Sequence, residues 1–198
     1  MNSDPKRHAE ITLSTRRWVE AAVVGLGLCP FARSVASAGL IRYRVSDARS
    51  AAALRSDLVD ELHLLAQADP ARVETTLLIH PWTLQNFLAF NDFLGGIGPI
   101  VEELGLEGTL QVASFHPRYQ FAGTKADDVE NCTNRAPFPT LHLLREASIE
   151  RVLVTFPDPS SIYERNVALL RRIGRAGWAQ VQAEFAPREV GNSQPRSK

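Results

Sequence analysis

The chain has 198 residues, 44% of them hydrophobic, with 22 basic and 22 acidic side chains. That composition suits one globular domain with an ordinary core and excludes a disordered chain. A zero charge balance gives no electrostatic reason for nucleic acid or an anionic membrane as partner, and no run approaches the ~20 apolar residues of a membrane span.

The start, MNSDPKRHAE, lacks the apolar segment of a secretory leader, so a cytoplasmic location is expected. Cys29 and Cys132 are then expected as free thiols. Residues 1–10 and 187–198 read as disordered tails around one domain at 11–186.

Trp18, Val19, Ala22, Val23 and Leu26 recur at helical spacing. Ser14 or Thr15 is placed to cap that helix, and Gly25 and Gly27 weaken its end. CPFARSVASAGL starts a short helix, with Pro30 in a favourable first turn. LIRYRV alternates as a first strand. Residues 46–68 form a helix with a stripe of Leu54, Leu58, Leu62 and Leu65, capped by Ser46 or Asp47. VETTLLIHP is a second strand, apolar enough for burial on both faces. Residues 82–104 form a helix interrupted at Gly95 and Gly96, and GTLQVASFHP is a third strand.

A polar loop covers 118–138. PTLHLLREASIERVLV then resumes helical spacing, and SSIYERNVALLRRIG makes another helix ending at Gly174. WAQVQAEFA fits either a helix or a fourth strand. The β-α-β-α-β alternation predicts an α/β layered fold with a small, mainly parallel sheet of three or four strands and flanking helices.

Two strands end alike, in LLIHPW and ASFHPRY. If they run parallel, His80 and His116 share the carboxyl edge of the sheet, where open α/β sheets bind ligands. A strand-ending His-Pro bonded to a nearby carbonyl is the plainer account, and it is favoured for His80. For His116 the long loop that follows weighs towards function. That loop supplies Tyr119 as an aromatic anchor, Asn131 and Asn134 as amides, and Arg135 as a two-pronged anion grip. The alternative is a lid whose Asn and Asp side chains only satisfy its own backbone.

On a helix, His142 and Glu146 share a face, with Arg145 beside them. The pair can transfer protons, bind a metal, or form a simple intrahelical ion pair. His80, His116, His142 and Glu146 together make a candidate divalent-metal set, although no HExxH or His-x-His specifies zinc.

Cys29 precedes a helix start, where a thiol pKa falls. CPFA resembles the first-helix motif of thioredoxin-like and glutathione-transferase domains. Ala32 replaces the second cysteine, and the preceding segment reads as helix where that fold needs a strand. A buried packing cysteine is the favoured alternative. No phosphate loop and no GxSxG elbow is present.

GLCPFARS, ETTLLIHP, FNDFLG, QVASFHPRYQFAGT, DDVENCTNRAPFPTLHLLRE and IYERN together resemble the bacterial proteins grouped as domain of unknown function 1415. The resemblance runs from about Trp18 to Gly174. It implies a family identity and no assigned reaction, fold, cofactor or catalytic residue.

The residues therefore carry the functional expectation: an enzyme acting on a small polar or anionic molecule. His116 would be its general acid–base and 118–138 its lid. His142 and Glu146 would be further catalytic groups. Tyr119, Asn131, Asn134, Arg135 and Arg145 would bind substrate. Two alternatives stand beside it. One is a protein that binds a metal, haem or small metabolite without turnover. The other is a thiol-dependent redox protein acting through Cys29.

Overall fold

A computed structural model describes residues 4–154 and 159–186 of the chain. Strands β1 (Ile41–Val45), β2 (Thr75–Ile79), β3 (Leu110–Phe115) and β4 (Thr140–Arg145) form one sheet in the order β1-β2-β4-β3. β1 and β2 are parallel, whereas β4 runs antiparallel to both of its neighbours, β2 and β3.

The α/β layered expectation holds, but the sheet is mixed rather than mainly parallel. The difference comes from PTLHLLRE, expected as helix. Residues 140–145 instead form β4, and only α6 (Glu146–Leu153) is helical. TLHLLR also alternates its side chains between two apolar layers, so a strand buries both of its faces where a helix would have buried one.

One face of the sheet packs on α3 (Ala51–Gln67), α4 (Phe87–Leu94) and α5 (Ile97–Glu103). The leucine stripe explains α3: Leu54, Leu58, Leu62 and Leu65 are all fully buried against Leu78, Leu141 and Leu143. Each contributes about 2 kcal/mol of burial. Ser50, not Ser46 or Asp47, caps α3 by accepting from the Ala53 N–H. Ser46 instead donates to Asp57. Arg42 of β1 clamps the helix from the sheet side, donating to both Glu61 carboxylate oxygens at 2.7 and 2.9 Å. The glycine pair breaks the next helix as expected, and Asn86 caps α4 through the Leu88 and Ala89 N–H groups.

The other face meets α1 (Pro5–Trp18), the π-helical turn Val19–Val24, and α7 (Pro159–Phe185). Trp18, Val19 and Ala22 meet Leu170, Trp178 and Phe185 there. Helix α1 begins inside the expected N-terminal tail, because Asp4 caps it through the Lys6 N–H and Pro5 fits the first turn. α7 is two helical stretches joined at Gly174, whose φ of 65° favours glycine. The second stretch settles WAQVQAEFA as helix. The expected C-terminal tail lies outside the described residues.

Candidate functional site

β2 and β3 point the same way with β4 between them, so His80 and His116 do end up at one edge of the sheet. They are not open to solvent there: His80 is 0% exposed and His116 is 1% exposed. Phe90 packs on both imidazoles, at ring-centroid distances of 5.6 and 5.1 Å. The Nε2–H of His116 donates to the Leu84 carbonyl at 3.2 Å, and its Nδ1 accepts from the Arg118 N–H at 3.0 Å. The Nδ1–H of His80 donates to the Thr83 carbonyl. Burial pushes both imidazoles down to about 4, so they are neutral at pH 7.

The two strand-ending histidines thus brace the connection between β2 and α4. Leu84 in that connection has φ 54°, a costly conformation for leucine, and its carbonyl is the one His116 holds. The expected acid–base role of His116 is corrected on this ground. A ring sealed by phenylalanines, with both nitrogens bound to backbone, has neither the access nor the free lone pair that proton transfer requires.

Loop 118–138 is likewise self-satisfied. It contains a 3₁₀ turn, Val129–Asn134. Asn131 is fully buried. Its Oδ1 accepts from the Phe121 N–H and the Thr124 hydroxyl, both at 2.9 Å, and its Nδ2 donates to the Lys125 carbonyl at 2.8 Å. Arg135 donates to the Tyr119 and Ala126 carbonyls, and Asn134 reaches the Ser114 carbonyl at 3.4 Å. Tyr119 sits between Phe87 and Phe121, tilted against the first and edge-on to the second. The groups expected to grip a substrate are therefore organising their own backbone. Asn131→Ala is expected to cost about 2–4 kcal/mol, since three bonds vanish and buried donors lose their acceptor. Urea denaturation checks the loss, and hydrogen exchange should rise across 121–131 first.

The candidate metal set does not assemble. His80 and His116 face the α3 side of the sheet, while His142 faces the opposite side, with its ring 5.9 Å from that of Phe115. Glu146 starts α6 and lines a separate depression of about 430 Å³ between α5 and the β3 edge. Among the described residues no three His, Cys, Asp or Glu side chains are placed to hold a metal. Arg145, on the other face of β4, donates from one terminal nitrogen to the Leu65, Ala68 and Val73 carbonyls at 2.7, 2.7 and 3.2 Å. It caps the end of α3.

His142 lies instead in a cavity of about 420 Å³ that the α1 side of the molecule leaves over the sheet. Leu77, Ala113, Phe115 and Leu144 form its floor with His142. Trp18, Val19 and Val23 form one wall, α2 (Ala32–Ser37) with Phe31 another, and Ser148 and Ile149 of α6 a third. The lining is mainly apolar, and the volume falls in the range of small-molecule sites.

Polar groups inside are few and placed. The Thr75 hydroxyl donates to the Leu143 carbonyl at 2.5 Å and accepts from the Nε2–H of His142 at 2.8 Å. That fixes the tautomer and leaves His142 Nδ1 as a lone-pair acceptor in the cavity. Burial pushes His142 down to about 4, so it stays neutral. Glu74 and Arg151 form an ion pair at 3.1 Å at one end, with Ser148 hydrogen-bonded to both.

Cys29 also lines this cavity. Burial pushes its thiol up, outweighing backbone N–H groups of Phe31 and Ala32, so the lowering expected at a helix start does not occur. Both cysteines are free thiols, as expected.

Sequence reasoning identified His142, Cys29 and Arg145 but missed Trp18, Glu74, Thr75, Phe31 and Arg151 as neighbours. Thr75 was the available signal. Of the two hydroxyls in the strand TTLLI, Thr76 is buried without a partner among the described residues, whereas Thr75 meets His142 on the adjacent strand.

No helix among the described residues is long and apolar enough to cross a membrane. No curated protein and no solved structure gives a significant match. The family described as "Protein of unknown function (DUF1415)" matches residues 10–180, a span that takes in both imidazole-braced strand ends, the self-bonded loop and every wall of the His142 cavity. That shared stretch makes the chain a member of the DUF1415 family.

Proposed function

We propose that this protein binds a small, mainly apolar molecule in the cavity over the sheet, with His142 Nδ1 accepting a hydrogen bond from it. The observation that carries the reading is one fixed, neutral acceptor in a mainly apolar hollow. Such a site recognises shape through its walls and orientation through its few polar contacts. Of the functions expected from sequence, small-metabolite binding fits this geometry best. Proton transfer by His142 has less support, because an imidazole held near 4 is a poor acid and a weak base at neutral pH.

Calorimetric titration with 1-naphthol, which offers an aromatic body and one hydroxyl donor, tests the reading. Saturable binding is expected. Ala113→Trp fills the floor and should abolish it, with the thermal midpoint shifting by only a few degrees, about 1 kcal/mol for a chain of this size. His142→Phe keeps the ring and removes the acceptor, so affinity should fall about tenfold. Absence of saturable binding, or undiminished binding by Ala113→Trp, removes the cavity as the site.

A further inference from the structure

We infer that β3 is a docking edge for a second copy of this chain. Two β3 strands pair antiparallel about a two-fold axis at Val112 and join the two four-stranded sheets into one. The inference stands on the sheet edge and is independent of the cavity reading.

β1 and β3 are the edges of the sheet, and they are guarded differently. β1 carries Arg42 and Arg44, charges that discourage a further strand. β3 reads LQVASF, with no charge and no proline. Its backbone can be accounted for group by group. The bond from the Glu146 N–H to the Thr109 carbonyl fixes the phase of the ladder. Gln111, Ala113 and Phe115 thus turn their N–H and C=O groups to β4, while Leu110, Val112, Ser114 and His116 turn theirs outward. Some of the outward groups are already engaged. The Leu110 N–H donates to the Leu106 carbonyl at 3.0 Å, and the Ser114 carbonyl accepts from Asn134 Nδ2 at 3.4 Å. The His116 N–H donates to the Asn134 carbonyl, and the His116 carbonyl accepts from the Tyr119 N–H, both at 3.1 Å. Left without a partner among the described residues are the Leu110 carbonyl, both groups of Val112 and the Ser114 N–H.

Those groups complement one another. About a two-fold axis at Val112, Val112 faces the partner's Val112 and Leu110 faces the partner's Ser114. The two valines exchange a pair of N–H to C=O bonds, and each Ser114 N–H reaches the partner's Leu110 carbonyl. The engaged groups, the Leu110 N–H and the Ser114 carbonyl, fall opposite each other, so nothing is left over. An unrelated strand would bring a fresh donor and acceptor to those two places. Asn134 ends the free edge at Ser114, which keeps the register from sliding. The side chains agree with this pairing. Val112 packs on the α5 side and lines the depression of about 430 Å³ there, beside Leu94, Ile97, Val101 and Leu110. Paired residues share a face of the sheet, so the partner's Val112 enters the mouth of that apolar depression.

Sedimentation of the full chain at about 100 µM should give twice the chain mass. Val112→Lys sets two like charges face to face at the axis, as does Val112→Glu. Each variant alone should be monomeric, with circular dichroism showing the fold retained, and an equimolar mixture of the two should recover the dimer mass. Hydrogen exchange on the unsubstituted chain gives a reading that no folding defect can confound. The Val112 and Ser114 amides should exchange at least about tenfold more slowly in the dimer than after dilution to monomer, while the Leu110 amide, bonded within its own chain, should not respond. A chain still monomeric at about 100 µM overturns the pairing and leaves the edge to an extended segment of another protein. A dimer that Val112→Lys leaves intact, a mixture that stays monomeric, or Val112 and Ser114 amides indifferent to concentration would each place the contact elsewhere and overturn it as well.

Discussion

Lowering the pH from 7 to 5 is expected to remove on the order of 5 kcal/mol of folding stability, well before carboxylates dominate the titration. Three imidazoles carry the effect: His80, His116 and His142, each pushed by burial from 6.5 to about 4. The unfolded chain takes up protons through 6.5, and the folded chain takes none until about 4. Stability is therefore fully present above the unfolded value, falls as pH drops towards the folded value, and falls no further below it. Integrated between pH 7 and 5, each imidazole contributes about 2 kcal/mol, less for His142, whose cavity admits water. Glu130 works in the same direction but at lower pH, because its bond to Arg171 holds its carboxyl below the usual range. Urea midpoints at pH 7, 6 and 5 measure the slope. His116→Phe should reduce that slope by about a third, whatever it does to stability at pH 7. A flat profile between pH 7 and 5 would mean that the folded rings are hydrated, and the sealed strand ends would have to be abandoned.

Those rings also mark where the sequence could be read and where it could not. LLIHPW and ASFHPRY correctly placed two histidines at one sheet edge, because strand polarity follows from chain order and crossover length. What the imidazoles do there depends on Phe90 of α4 and on Leu84 in the connection before it. Parity along a strand does not announce such partners. The same limit applies to the loop. NCTNR was legible as a cluster of amides and a guanidinium, but its partners, Phe121, Lys125 and Ala126, are backbone groups with no signature of their own. The α3 leucine stripe was read correctly because burial on one helical face needs only a period. β4 was misread for the converse reason. LHLL is too short and too uniformly apolar for the period to separate helix from strand, and misplacing it joined His142 to Glu146 on one face. In the folded chain they line different hollows on either side of β4. The cavity was least legible of all, since it is defined by what the helical layer fails to cover.

Arg145→Met is expected to cost about 3–5 kcal/mol, although the substitution keeps most of the apolar stem. One terminal nitrogen lies within 2.7 Å of two carbonyls and 3.2 Å of a third. Leu65 belongs to the last turn of α3 and Ala68 follows it, so the guanidinium also sits at the negative end of the helix dipole. Methionine leaves those carbonyls short of donors in a place water reaches poorly, and the deficit exceeds the value of any single bond. Urea denaturation should register the loss as a lower midpoint at unchanged slope, with exchange quickening at the end of α3. With Arg145→Lys, which keeps the charge but cannot match the planar fork, about half the stability loss should persist. If methionine costs less than about 1 kcal/mol, solvent is already serving those carbonyls. Arg145 would then be a surface charge, and the helix cap could not be built on it.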